Sequence, residues 1–370
     1  MKQFIHAESV ELLHSGNEFF DAAKKIIDEA KEVIHLQTYI FKFDKTGKEI
    51  GKHLINAAKR GVQVYVLPDR YGSKELPPKF IDELKSAGIH FRFFSPLFST
   101  ESISIARRIH HKILVADKHT VLIGGINIGD KYHGSAGVVP WLDFAVMVKG
   151  TCNQFIHNLC ESIYKKNKRM SSATFSSGKI DVRYRINDWY KRKNEIYYTY
   201  KRGFATSKKS ISIVACYFLP GYFFLRRIKN VAKRGVKIKI VVGGISDIPM
   251  FHHAEKYLYD YLLRNGIEIY EWTESVMHGK AAVFDEKWCT IGSYNLNNLS
   301  KYQCMEMNVD IDDPVFSKKL SDDLDYIIHE KCTKITSENT VKQRNFFYRI
   351  KLSFAYYWYK LFMYLMVPKD

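Results

Sequence analysis

"RRIHHKILVADKHTVLIGGIN", residues 107–127, puts two adjacent histidines at the head of an apolar run and closes it on two glycines and an asparagine. The run "ILVA" reads as strand, and period-two alternation puts His110 and Lys112 on one face and His111 on the other. A second stretch, "VMHGKAAVFDEKWCTIGSYN" from Val276, carries one histidine. Aligned on Lys112 and Lys280, an offset of 168, His278 falls on His110 and Gly279 on His111. The shared pattern is His-x-Lys, four residues, Asp, six residues, Gly-Gly or Gly-Ser, one residue, Asn. It selects His110, Lys112, Asp117 and Asn127 in one copy and His278, Lys280, Asp285 and Asn295 in the other. His111 has no counterpart and is read as a neighbour.

The copies belong to a longer internal repeat. "AAKRGVQVYVL" from Ala57 returns as "VAKRGVKIKIVV" from Val231, and "LKSAGIHFRFF" around Gly88 returns as "LLRNGIEIYEW" around Gly266. Each unit reads as an amphipathic helix that stops at a glycine and runs into an apolar strand. The strands "VIHLQTYIF" and "ISIVACYFLP" precede them, with Tyr39 and Tyr217 in matching places, 178 residues apart. The chain is therefore expected to be a duplicated α/β unit: a first half over 1–165, a connector over 166–180, a second half over 181–335 and a basic, aromatic tail over 336–370.

Composition restricts the partners. With 370 residues, 46% of them hydrophobic, the chain can fill two domain-sized cores and is not a disordered polymer. A formal charge of +18 suits phosphate-bearing partners, nucleic acid and anionic lipid alike. The six cysteines form no CxxC pair and no metal-ligand spacing, so reduced thiols are expected. The pair His252–His253 has no supporting carboxylate or cysteine spacing. "MKQFIHAESVELLHSG" contains no signal-like apolar run, which predicts a cytoplasmic location.

Paired His-x-Lys-x4-Asp motifs inside a repeat resemble the signature of the phospholipase D superfamily. The order and spacing of "VLPDRYGSKELPPKFIDELKSAGIHFRFFSP" and the first motif are most similar to the short bacterial cardiolipin synthases without N-terminal membrane helices. The stretch "KYHGSAGVVPW" after the first motif departs from that likeness. The resemblance implies two halves packed around one shared active site. It also implies a phosphatidyl transferase that condenses two phosphatidylglycerols into cardiolipin through a phosphohistidine, with His110 as nucleophile and His278 as general acid. A phospholipase D hydrolase or a nuclease of the same superfamily is the alternative.

The residue types suit that chemistry. A phosphodiester is an anion that repels nucleophiles, so its site must neutralise oxygen charge and supply both a nucleophile and an acid. Lys112 and Lys280 are expected on the non-bridging oxygens, with Asn127 and Asn295 donating to the same group. Two histidines cover attack and proton delivery, and no metal or cofactor is called for. Each imidazole also needs a carboxylate on its second nitrogen. Asp143 in "WLDFAVMV" and Glu306 in "CMEMNVDI" lie 33 and 28 residues past the motif histidines and are the candidates. Asp117 and Asp285 complete the catalytic motifs and are expected to hold the motif's turn and nearby donors, with contact to substrate as the alternative.

Two further stretches bear on partners. "NDWYKRKNEIYYTYKRG", from Asn187, interleaves bases with aromatics and suits an exposed helix or a binding surface. "FFYRIKLSFAYYWYKLFMYLMV", Phe346 to Val367, is too aromatic for a routine surface helix, yet Arg349, Lys351 and Lys360 argue against a bilayer span. Arg349, Ser353, Tyr356 and Lys360 fall in one stripe, which predicts an amphipathic helix in the membrane interface, with a last helix packed back onto the core as the alternative. The expected partner is anionic phospholipid at the cytoplasmic face of the membrane, and removing the tail is expected to leave the fold intact.

Overall fold

The computed structural model describes residues 4–94, 107–166, 178–338 and 345–366. Two sheets repeat one strand order. In the first, neighbours run Phe144–Lys149, Thr120–Gly124, Lys112–Ala116, Val33–Thr38, Gln63–Pro68 and His90–Phe91. In the second, the same sequence of partners is Cys304–Asp312, Trp288–Gly292, Lys280–Phe284, Ser210–Ala215, Lys237–Gly243 and Glu268–Trp272. The strands linked through helices pair in parallel and the motif strands pair antiparallel on both sides, so each sheet is mixed.

Alternation along the motif strands sets the layers. Ile113 and Val115 point into a central core with Val283, Ile291, Met307 and Val309 of the second sheet. Leu114 and Ala116 point the other way, under the first half's helices, as Ala282 and Phe284 do in the second half. The sheets therefore stack face to face, with helices on the outside of each. Two short segments cross between them. Ile5–Ala7 pairs with Ile180–Asp188 of the second sheet, and Arg108–Ile109 pairs with Cys304 and Met305. The connector falls mostly on 167–177, outside the described residues.

The helix Glu195–Thr206 takes up much of the basic, aromatic stretch and buries Ile196, Tyr200 and Phe204, leaving Tyr198 exposed. His252 and His253 lie on the helix Pro249–Tyr257, where His253 Nδ1 donates to the Pro249 carbonyl. The C-terminal helix, Phe346–Met366, lies against that same helix. Ala355, Tyr359 and Met363 enter the second half's core, each four residues from the next, and Leu352, three residues before Ala355, is buried as well. Ser353 and Tyr356 are half-buried, so the predicted polar stripe lies along the border of the docked face. The opposite face is bare: Phe347 is 77% exposed, Phe354 64% and Leu365 72%. Val367 lies outside the described residues. Because the docked face completes a core, removing the tail is now expected to uncover apolar surface and destabilise the second half.

His35, on the strand beside the first motif, is buried with neither ring nitrogen hydrogen-bonded. Its ring stacks on Tyr65 at 4.8 Å. Burial, aided by the neighbouring His157, pushes its pKa down to about 3. Such a group binds protons more readily in the unfolded chain, so stability is complete above the ordinary imidazole value near 6.5 and falls as pH drops below it. His35→Phe keeps the stack and removes both unsatisfied nitrogens, which should stabilise the protein by about 1 kcal/mol or more. The gain in melting temperature should be larger at pH 5.5 than at pH 8; an equal gain at both would contradict a neutral buried imidazole.

Candidate active site

Each motif strand starts at the end of its sheet that meets the other half. The backbone anchors cross over: His110 N donates to the Met305 carbonyl at 2.9 Å, and His278 N to the Leu142 carbonyl at 2.7 Å. The side chains cross in the same way. His110 Nδ1 lies 2.9 Å from Glu306 Oε2, and His278 Nδ1 lies 2.5 Å from Asp143 Oδ2. Each histidine is thus oriented by the acid that follows the other motif, a pairing that sequence spacing could not supply. A proton on Nδ1 leaves Nε2 bare for chemistry.

The two acids are held differently. Glu306 also accepts hydrogen bonds from Ser293 Oγ at 2.5 Å and Ser300 Oγ at 2.6 Å. Asp143 accepts from the Phe144 N–H at 2.8 Å. Gly125 occupies the place of Ser293, and a Cβ there would stand 2.3 Å from Asp143 Oδ1. The shorter acid comes with glycine and the longer acid with a serine donor. Burial raises Asp143 to about 7 in spite of Lys280 nearby.

Burial lowers the pKa of both histidines below the ordinary imidazole range. At His110 the Glu306 carboxylate opposes the shift, whereas at His278 Lys280 and Lys112 add to it. Both shifts favour the neutral imidazole. Lys112 Nζ donates to the His110 carbonyl at 2.5 Å, and Lys280 Nζ to the His278 carbonyl. Both lysines lie behind the histidines, buried, and burial brings Lys112 down to about 7.

Both histidines open onto one cavity of about 950 Å³. Asn127 and Asn295 line it, but Asn127 is committed to the protein: Oδ1 accepts from Ile40 N and Nδ2 donates to the Tyr132 hydroxyl. The Asn295 side-chain oxygen, Oδ1, is buried without a hydrogen-bond partner. Asp117 and Asp285 are at the far ends of the motif strands, in turns with φ of 51° and 54°. Asp117 accepts from the N–H groups of residues 31–33, and Asp285 from those of residues 208–210, so each ties its hairpin to the strand beside it. These two aspartates have a structural role.

Several site residues went unnoticed in the sequence. The Tyr39 ring lies 5.0 Å from His110, and Tyr132 and Trp141 lie 5.2 and 5.9 Å from His278. The departing stretch "KYHGSAGVVPW" supplies Lys131, Tyr132 and Trp141 to the cavity, through a short helix ended by left-handed Gly134. Asp69 clamps the approach to His110 by accepting from Ile109 N at 3.1 Å. The Gly-Gly against Gly-Ser contrast was the signal for Ser293. The far wall of the cavity includes Phe362 and Leu365 of the C-terminal helix.

Two crossed histidine–carboxylate pairs backed by buried lysines, in a duplicated α/β fold, define an enzyme of the phospholipase D type. The family described as "Cardiolipin synthase, PLD-like domain" matches residues 23–137 and 200–328, and the chain belongs to it. Cardiolipin synthase B of Escherichia coli K12 is 32% identical over 365 residues, covering 95% of this chain and 88% of that one. Cardiolipin synthase 1 of Staphylococcus aureus COL is 28% identical over 338 residues, covering 86% of this chain and 66% of the relative. The crystal structure of a phosphatidylserine synthase from Haemophilus influenzae shares the fold, with a TM-score of 0.76 at 16% identity over 96% of this chain and 95% of its own. The chain is, by class, a phospholipase D-type phosphatidyltransferase.

The crossed braces are separately testable. Glu306→Gln and Asp143→Asn keep the shape of each acid but can reverse the tautomer of the opposite histidine. Each should lower kcat by about a thousandfold or more with a small change in KM. A loss below about tenfold in either variant would show that its acid does not orient the imidazole.

Proposed function

We propose that the protein joins two phosphatidylglycerols into cardiolipin and free glycerol by a two-step transfer through a phosphohistidine. The observation that carries this reading is the pair of braced imidazoles, each with Nδ1 on the other half's carboxylate, opening onto one cavity. In the first step His110 Nε2 attacks phosphorus, and the glycerol oxygen leaves with a proton from His278. In the second, the primary hydroxyl of another phosphatidylglycerol attacks the phosphohistidine and gives its proton back to His278.

The assignment of roles follows the braces. A phosphorylated imidazole that keeps Nδ1–H is cationic, and Glu306, positioned by two serines, supplies the countercharge beside His110. His278 is kept neutral by burial and the two lysines. An arriving phosphodiester anion offsets the lysines and favours the protonated form that the first step needs. The lysine ammoniums, behind the histidines, stabilise phosphate charge through the buried medium.

The C-terminal helix supports a lipid substrate. No helix among the described residues is long and apolar enough to cross a membrane. Yet this helix presents Phe347, Ile350, Phe354, Trp358 and Leu361 outward, while Phe362 and Leu365 reach the cavity wall. The outward side chains enter the interface, each contributing about 1.5–3 kcal/mol when fully buried. Arg349, Lys351 and Lys360 are exposed on the same helix, and with the net charge of +18 they favour the anionic cytoplasmic leaflet.

Purified protein given phosphatidylglycerol vesicles should yield cardiolipin and glycerol in equal amounts, and leave single-stranded DNA uncut. With the p-nitrophenyl ester of a short-chain phosphatidic acid, which needs no acid for departure, His278→Ala should accumulate an acid-labile phosphoprotein and His110→Ala should not. DNA cleavage without lipid product would replace the reading with a nuclease, and trapping in the His110 variant would exchange the histidine roles.

The outer face is tested by Phe347→Ser, Phe354→Ser, Trp358→Ser and Leu361→Ser combined. That variant should melt near the parent temperature while its affinity for phosphatidylglycerol vesicles in sedimentation falls about a hundredfold or more. Truncation after Asn345 should instead lower the melting temperature. Undiminished vesicle binding by the quadruple variant would move the membrane contact elsewhere.

A further inference from the structure

Tyr39 and Tyr217 stand at the same step of the repeat, just past the strand beside each motif, and the two differ. Tyr39 packs on His110, with Lys112 Nζ 5.5 Å from its ring centroid. Tyr217 has φ of 53°, a left-handed conformation that bulky residues rarely adopt, and Tyr39 is not among the residues with positive φ. Strain of this kind persists where surrounding structure enforces it, and it gathers at working sites. The enforcement is visible. Cys216 N donates to the Gly279 carbonyl at 3.0 Å on one side of Tyr217, and Phe218 N donates to buried Glu255 at 3.0 Å on the other. The Tyr217 hydroxyl then donates to Asp247 Oδ1 at 2.6 Å.

Both residues line the cavity. Through the bond from Cys216 to Gly279, Tyr217 belongs to the His278 side. Three carboxylates reach this cavity, and two are in use. Asp44 accepts from Gly47 N and Asp130 N, and Asp130 accepts from Thr46 and Ser135. Asp247 accepts the Tyr217 hydroxyl and has its second oxygen available to the cavity among the described hydrogen bonds. A carboxylate repels a phosphodiester, so its presence here favours a ligand group that donates.

We propose that Tyr217 and Asp247 form the seat for the alcohol in the transfer reaction, and that they select a vicinal diol, the headgroup end of a polyol lipid. In the departing glycerol the two free hydroxyls donate to Asp247 Oδ2 and to the Tyr217 oxygen while the third oxygen leaves toward His278; in the incoming headgroup, which has two hydroxyls, the secondary one donates to Asp247 Oδ2 and the primary one faces His278. This assignment rests on the transfer chemistry proposed above. In the step it serves, the primary oxygen forms a bond to phosphorus, the phosphorus–nitrogen bond to His110 breaks with its electron pair returning to the imidazole, and the hydroxyl proton passes to His278 Nε2. The seat lies beside the histidine that handles that proton, so the departing glycerol and the incoming one use the same place in turn. The strained tyrosine appears in one half because the reaction handles alcohol on one side.

The test gives the full-length protein the p-nitrophenyl ester of a short-chain phosphatidic acid, together with equal concentrations of glycerol, ethanolamine and 1-propanol. The phosphatidyl products are counted by mass spectrometry. Ratios within one reaction are read, so a general loss of rate cancels. The unsubstituted protein should prefer glycerol to 1-propanol. Asp247→Asn should lower that ratio about tenfold or more, and Tyr217→Phe severalfold. A ratio in Asp247→Asn within about twofold of the parent overturns the seat, and a parent preference for ethanolamine over glycerol overturns the diol assignment. Absence of transfer to every alcohol by the parent protein sinks the transfer reading and the seat with it, whereas transfer indifferent to Asp247 sinks the seat alone.

Discussion

Everything at the centre of this protein depends on carboxylates that brace histidines across the boundary between the halves. Glu306 fixes His110 and Asp143 fixes His278, and the backbone next to each acid anchors the backbone of the same histidine. A buried imidazole without such a partner would be free to hold its proton on either nitrogen. The braces require the two sheets to meet in one register. The apolar face of each motif strand, with Ile113 and Val115 on one side and Val283 on the other, supplies the adhesion that maintains it. The short pairing of Arg108–Ile109 with Cys304 and Met305 ties the first motif to the strand that carries Glu306.

Duplication gives a symmetric frame, and the chemistry shows in its departures from symmetry. Gly125 and Ser293 hold the same place, yet one leaves room for a short acid and the other donates to a long one. Tyr39 rests on its histidine while Tyr217 turns to Asp247. A symmetric pair of imidazoles could exchange roles from one turnover to the next. In the proposed transfer, unequal support would suit one to covalent attack and the other to proton transfer, because the attacking ring would gain positive charge and the other ring would cycle between charge states.

Much of this was legible in the sequence, and the reasons separate what was from what was not. His110, Lys112, His278 and Lys280 could be found because a repeated spacing on alternating strands is a local property. The turn role of Asp117 and Asp285 could be read for the same reason. The crossed braces could not, since spacing along the chain favours no particular pairing between acids and histidines in different halves. Asn127 was assigned to phosphate by its residue type, but its amide is consumed by Ile40 and Tyr132, a competition that only neighbouring backbone reveals. The lysines were expected at the phosphate oxygens, and they donate to the histidine carbonyls. For the C-terminal helix, the uncharged part of the stripe, Ser353 and Tyr356, marks the border of the docked face while Arg349 and Lys360 are exposed. A wheel locates Arg349 and Lys360 but cannot say which of two aromatic faces docks.

That helix links the surface of the protein to its chemistry. Tyr359, on the docked face, accepts from Asn298 N at 3.3 Å. Asn297, beside it, caps the short turn that presents Ser300, and Ser300 donates to Glu306. One chain of contacts therefore runs from the outer helix to the carboxylate that braces His110. The helix's next turn, through Phe362 and Leu365, forms cavity wall. If its bare face rests on lipid as proposed, the cavity mouth is held at the membrane surface, where a headgroup can enter while its acyl chains stay among their neighbours. A peripheral enzyme gains from that arrangement, because lifting a whole phospholipid into water would cost about 0.8 kcal/mol for each methylene exposed. The same helix that completes the second half's core thus determines how far the substrate must travel.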